Sequence, residues 1–228
     1  MRNLPLATRY VVHSAFLTVQ GEGLHAGKRA VFVRLSGCNV WTGLEQHRER
    51  DAAVHSACAA ICDTEFKGTD PSKNGGVYTK EDLVDLAGRL WGSYPGEAMV
   101  VFTGGEPTLQ LDAELVTEFR LRNFYVAVET NGTGVVPSNV HWIAISPKFP
   151  MPIKPGRYDE VKLLSIFLSE GYYVNLATMI PATFHWVQPV DHRDEDKNRL
   201  EMMKASQFVM NTPGWRLGLQ AHKLWGVD

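Results

Sequence analysis

Short apolar runs recur along the chain, and glycine or polar residues close each of them. Runs rich in Val, Ile and Phe occupy residues 30–35, 99–103, 124–129, 142–146, 160–163, 185–188 and 215–220. Their brevity and continuity predict strands buried on both faces. Between some of them the apolar period lengthens to that of a helix. Leu83, Leu86 and Leu90 share one face of a helix predicted over 79–91, with Thr79 as its cap and Glu81 in its first turn. Residues 109–121 and 194–209 also read as helices. Strands alternating with helices imply parallel βαβ units. About six such strands do not close an eight-fold barrel. The expected architecture is therefore α/β, a partial, open (β/α) barrel of mainly parallel strands with active groups at their C-terminal ends. No repeat, low-complexity tract or linker interrupts the pattern, so 1–228 reads as one domain.

The residues following the strands support that placement. Ser36-Gly37-Cys38 follows the first, Thr103-Gly104-Gly105-Glu106-Pro107 the second and Glu129-Thr130-Asn131-Gly132 the third. Ser146-Pro147-Lys148 and Gln188-Pro189-Val190 follow later ones. Any one is an ordinary surface loop; together they suggest a ring of binding loops around one mouth. Upstream, Val19-Gln20-Gly21-Glu22-Gly23 carries glycines that permit close approach to a ligand, or simply make a turn.

Composition narrows the function. An apolar share of 44% suits a globular core, and a formal net charge of -2 disfavours a nucleic-acid-binding surface. No apolar run reaches the roughly 18 residues of a membrane span. The N-terminus lacks the basic and apolar stretches of a signal peptide, so a cytoplasmic protein with a small-molecule substrate is expected. The three cysteines, Cys38, Cys58 and Cys62, crowd into one window, with nineteen residues between the first two and three between the last two. An odd, clustered set argues against disulfides and for a metal or cluster site. Three thiolates suit an iron–sulfur cluster with one open iron. With His55 they would equally make a four-ligand zinc site, and three inert buried thiols remain a third reading. A helix through residues 57–61 would put Cys58 and Cys62 on one face. The Gly-Gly-Glu-Pro turn downstream favours the cluster: it exposes backbone groups, and Glu106 is placed to accept from a ligand ammonium.

Taken in order, several segments resemble the 7-carboxy-7-deazaguanine synthases, a family of radical S-adenosylmethionine (SAM) enzymes, over nearly the whole chain. They are Thr18-Val19-Gln20-Gly21-Glu22-Gly23, Arg34-Leu35-Ser36-Gly37-Cys38-Asn39, Cys62-Asp63-Thr64-Glu65-Phe66, Thr103-Gly104-Gly105-Glu106-Pro107, Glu129-Thr130-Asn131-Gly132-Thr133, Ser146-Pro147-Lys148, Gln188-Pro189 and the stretch from Trp215 to Lys223. The cysteine spacing departs from the family, with a longer first gap and a three-residue second gap, and residues 41–57 have no assigned role.

The resemblance implies a radical SAM barrel that converts 6-carboxy-5,6,7,8-tetrahydropterin to 7-carboxy-7-deazaguanine with loss of ammonia. It implies a [4Fe–4S] cluster on Cys38, Cys58 and Cys62, SAM, and Mg²⁺ at Thr64. SAM contacts fall on Ile61, Cys62, Asp63, Gly104, Gly105, Glu106, Glu129, Ser146, Pro147, Lys148, Gln188, Pro189, Val190 and Asp191, with Glu129 toward the ribose. Substrate contacts fall on Val19, Gln20, Gly21, Arg34, Thr103, His222 and Asp228. Lys148 is the one candidate general base. A flavodoxin-like electron donor and a homodimer also follow from the resemblance. The alternatives are another radical SAM reaction, of an activase type, and a zinc-bound interaction module.

Overall fold

The computed structural model describes residues 8–227. Nine strands form one sheet: β1 (Tyr10–Val19), β2 (Arg29–Leu35), β3 (Gly76–Tyr78), β4 (Ala98–Gly104), β5 (Phe124–Thr130), β6 (Trp142–Ile145), β7 (Glu160–Leu164), β8 (Phe184–Gln188) and β9 (Trp215–Leu217). Seven helices accompany them: α1 (Arg48–Val54), α2 (Cys58–Ile61), α3 (Lys80–Trp91), α4 (Ala113–Leu121), α5 (Gly171–Thr178), α6 (Glu195–Asn211) and α7 (Ala221–Trp225). The strand order is β3-β1-β2-β4-β5-β6-β7-β8-β9, with β3 and β9 left as edges. From β2 to β9 neighbouring strands pair parallel, while β1 pairs antiparallel with β2 and β3. The sheet is an open barrel, as the alternating pattern predicts. Among the described residues no helix is long and apolar enough to cross a membrane.

The helices form where their caps dictate. Thr79 accepts from Asp82 N at the start of α3. Asp112 accepts from Leu115 N, so α4 begins after it rather than at 109, and Pro107–Leu109 forms a separate 3₁₀ turn. The last strand stops at Leu217, shorter than the apolar run suggests. β1 does not stand out as an apolar run because His13, Ser14 and Thr18 interrupt it.

The two sheet faces differ in chemistry. Val31, Val33, Val100, Phe102, Val126 and Val128 face the helices and join the main core. The alternate residues Ala30, Met99, Val101 and Ala127, with Phe32, Tyr125 and Trp142, fill the bottom of the concave side. Above them, nearer the strand C-termini, that face turns polar, and there the functional loops gather.

Candidate active site

Two adjoining cavities occupy the mouth. The first, about 210 Å³, is lined by all three cysteines and by residues from the ends of β4 to β8. The second, about 350 Å³, lies toward β1 and β2 and the C-terminal helix α7. Glu22, Asp63, Thr64, Thr103, Glu129 and Gln220 line both.

Local chemistry brings the cysteines together. Cys38 ends the loop after β2, where Gly104 and Gly105 pack directly against it. A Cβ on Gly105 would lie 2.2 Å from Gly37 O and 2.6 Å from the Cys38 Cβ, so only glycine fits. Glu106 N then donates to Gly37 O at 2.9 Å. Cys58 and Cys62 flank the single turn of α2, as the helical reading of 57–61 anticipates. Residues 41–57 fold against this turn. Trp41 packs edge-on to Phe66, and Arg48 lies 4.4 Å over the Trp41 ring while its Nη1 donates to the carbonyls of Ala59 and Cys62. The insertion is thus the wall and cap of the cysteine turn.

The donor set fits a cluster with an open corner. Three free thiols, and not four, converge on one cavity. Burial pushes the Cys58 thiol up to about 11, against the pull of Lys148, and pushes Cys38 up as well. Burial thus disfavours the thiolate form there, and a thiolate would need a neighbouring positive charge to persist. Among the described residues no three His, Cys, Asp or Glu side chains form a group able to hold a single metal ion, so the zinc set with His55 is not assembled.

Of the residues expected to contact SAM, Ile61, Cys62, Asp63, Gly104, Gly105, Glu129, Ser146, Lys148, Gln188, Pro189, Val190 and Asp191 line the first cavity. Lys148 Nζ donates to Ser146 Oγ at 2.6 Å. Glu106 and Pro147 do not line it. Pro147 is buried behind the loop. Glu106 is fully buried, accepting from Thr108 N, Thr108 Oγ1, Thr130 Oγ1 and Asn131 N at 2.6–3.0 Å. Its carboxylate braces the loops after β4 and β5, with all four of these donors supplied by the protein.

Of the expected substrate contacts, Val19, Gln20, Gly21, Arg34, Thr103 and His222 line the second cavity, and Thr64 borders both. Asp228 lies outside the described residues. α7 sits directly on the turn after β1: Ala221 N donates to Gly21 O at 3.0 Å, and a Cβ on Gly21 would lie 2.2 Å from His222 Nδ1. Lys223 Nζ reaches Asp63 Oδ2 at 2.6 Å and Asp191 Oδ2 at 2.8 Å, joining α7 to both ligand loops.

A buried charge network that sequence reasoning missed separates the cavities. Lys162 Nζ lies 2.8 Å from Glu22 Oε2 and 3.1 Å from Glu129 Oε1. Gln20 Nε2 donates to Glu129 Oε1, and Gln220 Nε2 to Glu22 Oε1. Burial alone would raise the Glu22 pKa, but Lys162 and the Gln220 hydrogen bond hold it at about 2. Beneath them Glu160 accepts from the indoles of Trp142 and Trp186 and from Leu24 N. The signal was present: Glu160 and Lys162 alternate with Val161 and Leu163 in a buried strand, and such charges must be paired.

An unclosed, mostly parallel sheet with three free thiols converging on the cavity at its mouth assigns the chain to the radical SAM class of enzymes. Comparison with known proteins narrows this further. No protein-family model matches. The 7-carboxy-7-deazaguanine synthase of Caulobacter vibrioides is 40% identical over 218 residues, covering 96% of this chain and 99% of that protein. The enzyme of the same name from Bordetella pertussis is 39% identical over 218 residues, with the same coverage. The crystal structure of QueE from Escherichia coli superposes with a TM-score of 0.63 at 27% identity, covering 92% of this chain and 93% of that one. The chain belongs to the 7-carboxy-7-deazaguanine synthase family.

Proposed function

We propose that this chain catalyses the ring contraction of 6-carboxy-5,6,7,8-tetrahydropterin to 7-carboxy-7-deazaguanine with loss of ammonia, a step toward 7-deazapurines such as queuosine. The observation that carries this reading is the pair of cavities meeting at Glu22, Glu129 and Thr103, one walled by three thiols and the other by Gln20, Arg34 and His222. Cys38, Cys58 and Cys62 would hold a [4Fe–4S] cluster, with SAM beside it. When bound, the two supply one-electron cleavage of a carbon–sulfur bond and hydrogen abstraction from the substrate.

The chain's own residues position and exclude. The Gly104-Gly105 turn brings backbone groups against the cluster loop, and the Ser146–Lys148 and Gln188–Asp191 segments wall the SAM side. Arg34 suits a carboxylate through its planar fork, and His222 supplies a second donor. Thr64, between the cavities, suits a Mg²⁺ that keeps most of its waters and shares an anionic substrate oxygen. α7 covers the second cavity and limits access of water to it. Lys148 lines the thiol cavity and bonds Ser146, and it is the candidate base. Residues 1–228 then act as one domain, supplied with electrons by a flavodoxin-like donor, in a homodimer.

Anaerobic reconstitution with iron and sulfide, followed by assay of the carboxy-tetrahydropterin with SAM and reductant, tests the reading. Expected are 7-carboxy-7-deazaguanine and loss of SAM cleavage in Cys38→Ala, Cys58→Ala and Cys62→Ala. Zinc without iron in anaerobically purified protein, or SAM cleavage with no pterin turnover, overturns it. EDTA should slow turnover, and Thr64→Ala should reduce the response to added Mg²⁺; turnover indifferent to both removes the Mg²⁺ assignment.

A further inference from the structure

Lys162 is a buried ammonium set between two carboxylates from different parts of the fold. Its side chain is 4% exposed, on the concave face of β7 where the two cavities meet. An ammonium at that depth persists only when paired, because removing a charge from water costs several kcal/mol. Burial alone would lower its pKa; Glu129, Glu22 and Glu160 together drive it upward, and the ammonium stays charged.

The geometry around Glu129 is one-sided. Gln20 Nε2 and Lys162 Nζ both bond Oε1, at 2.9 and 3.1 Å. Oε2 has no protein partner among the described residues, although the carboxylate lines both cavities. Glu22, by contrast, has both oxygens engaged, by Lys162 and Gln220. Other charged groups face the same seam. Glu160 is held by two indoles and Leu24 N, His222 lies on the Glu22 side, Arg34, Asp63 and Lys223 border the second cavity, and Lys148 borders the first.

We propose that Lys162 is a positioning residue: it fixes the orientation of the Glu129 side chain with one oxygen free for the vicinal hydroxyls of a nucleoside, and ties it through Glu22 to the neighbouring cavity. This rests on reading the thiol-lined cavity as the SAM site. A carboxylate accepts strongly from a diol only when ionised and correctly aimed. Without the ammonium, Glu129 is held by Gln20 alone, and burial draws a proton onto Glu22, which breaks the link between the two cavities.

The test is anaerobic titration of cluster-loaded protein with SAM, without reductant, from mildly acidic to mildly basic pH. Wild type should bind with little pH dependence. Lys162→Met should bind about tenfold more weakly or worse, and more weakly still as the pH falls. Lys162→Arg, which keeps the charge, should recover most of the affinity and the flat profile. Should Lys162→Met not fold, the double variant with Glu22→Gln removes the excess charge; its affinity should fall below that of Glu22→Gln alone. Affinity equal to the parent, with a flat pH profile, overturns the proposal. Absence of SAM binding in wild type overturns the parent reading instead, so the two failures are distinct.

Discussion

At the scale of single residues, burial decides what a charged side chain can do. Glu106 looks like a ligand in the sequence and is a brace in the structure, with four donors on its two oxygens. Glu106→Ala strands buried N–H and O–H groups and should cost about 3 kcal/mol of unfolding free energy, measurable by denaturant titration. Stability unchanged from wild type would show that the loops after β4 and β5 hold without it. His25 makes a different case. Its ring packs against Tyr125 and Trp142, and neither nitrogen has a hydrogen-bond partner. Burial, with Lys28 nearby, lowers its pKa to about 4 from an ordinary 6.5, against the Asp159 carboxylate. The unfolded chain therefore binds a proton that the folded one refuses. The contribution of this group is complete above pH 6.5 and is lost as the pH falls toward 4, on the order of 3 kcal/mol. His25→Phe should flatten the stability profile across that window; equal slopes in the two proteins would exclude the assignment. Glu22, lowered from 4.5 to about 2, adds a second loss at more acidic pH, between those two values.

At the scale of elements, the alternation of apolar runs was enough to place the parallel strands from β2 to β9, because strands buried on both faces leave an unbroken apolar signature. Ser36–Cys38 and Thr103–Glu106 were legible as mouth loops for the same reason: they follow such runs. β1 was not, since His13, Ser14 and Thr18 interrupt its apolar run. Lys162 was not, since a single lysine in sequence carries no sign of its depth. The insertion at 41–57 has no periodic pattern long enough to read, and its function emerges only from contacts. Arg48 bonds the carbonyls that end α2 and stacks on Trp41, so it holds the turn that spaces Cys58 from Cys62. Arg48→Ala should leave the fold intact but lower iron and labile sulfide per chain after reconstitution, about twofold or more, given the roughly 2 kcal/mol that such a charged hydrogen-bonding group contributes. Full cluster content with wild-type air sensitivity would show that the insertion braces nothing.

At the scale of the whole molecule, segments far apart in sequence meet over the site. The turn after β1 and the helix α7 touch through Gly21 and Ala221, and Lys223 spans from α7 to Asp63 beside the cysteine turn and Asp191 after β8. One ammonium thus links α7 to both walls of the first cavity. Its hydrogen bond and charge hold the Asp191 carboxyl well below the ordinary carboxylate range. The lysine is a third exposed, so each pair by itself contributes little to global stability. Its effect should instead appear where α7 matters, in covering the second cavity. Lys223→Met should leave the unfolding midpoint and the cluster absorption near wild type while raising the KM for the pterin several-fold, about what the loss of 1 kcal/mol of closure predicts. Raised salt should reproduce part of this effect in wild type and little of it in the variant, because screening acts on the same partly exposed pairs. Gly21→Ala approaches the same contact from the other side, pushing its Cβ into His222, and should raise the KM at least as much. A wild-type KM in both variants would mean that α7 lies over the mouth without closing it, and the contacts of Lys223 would then be no more than surface pairs.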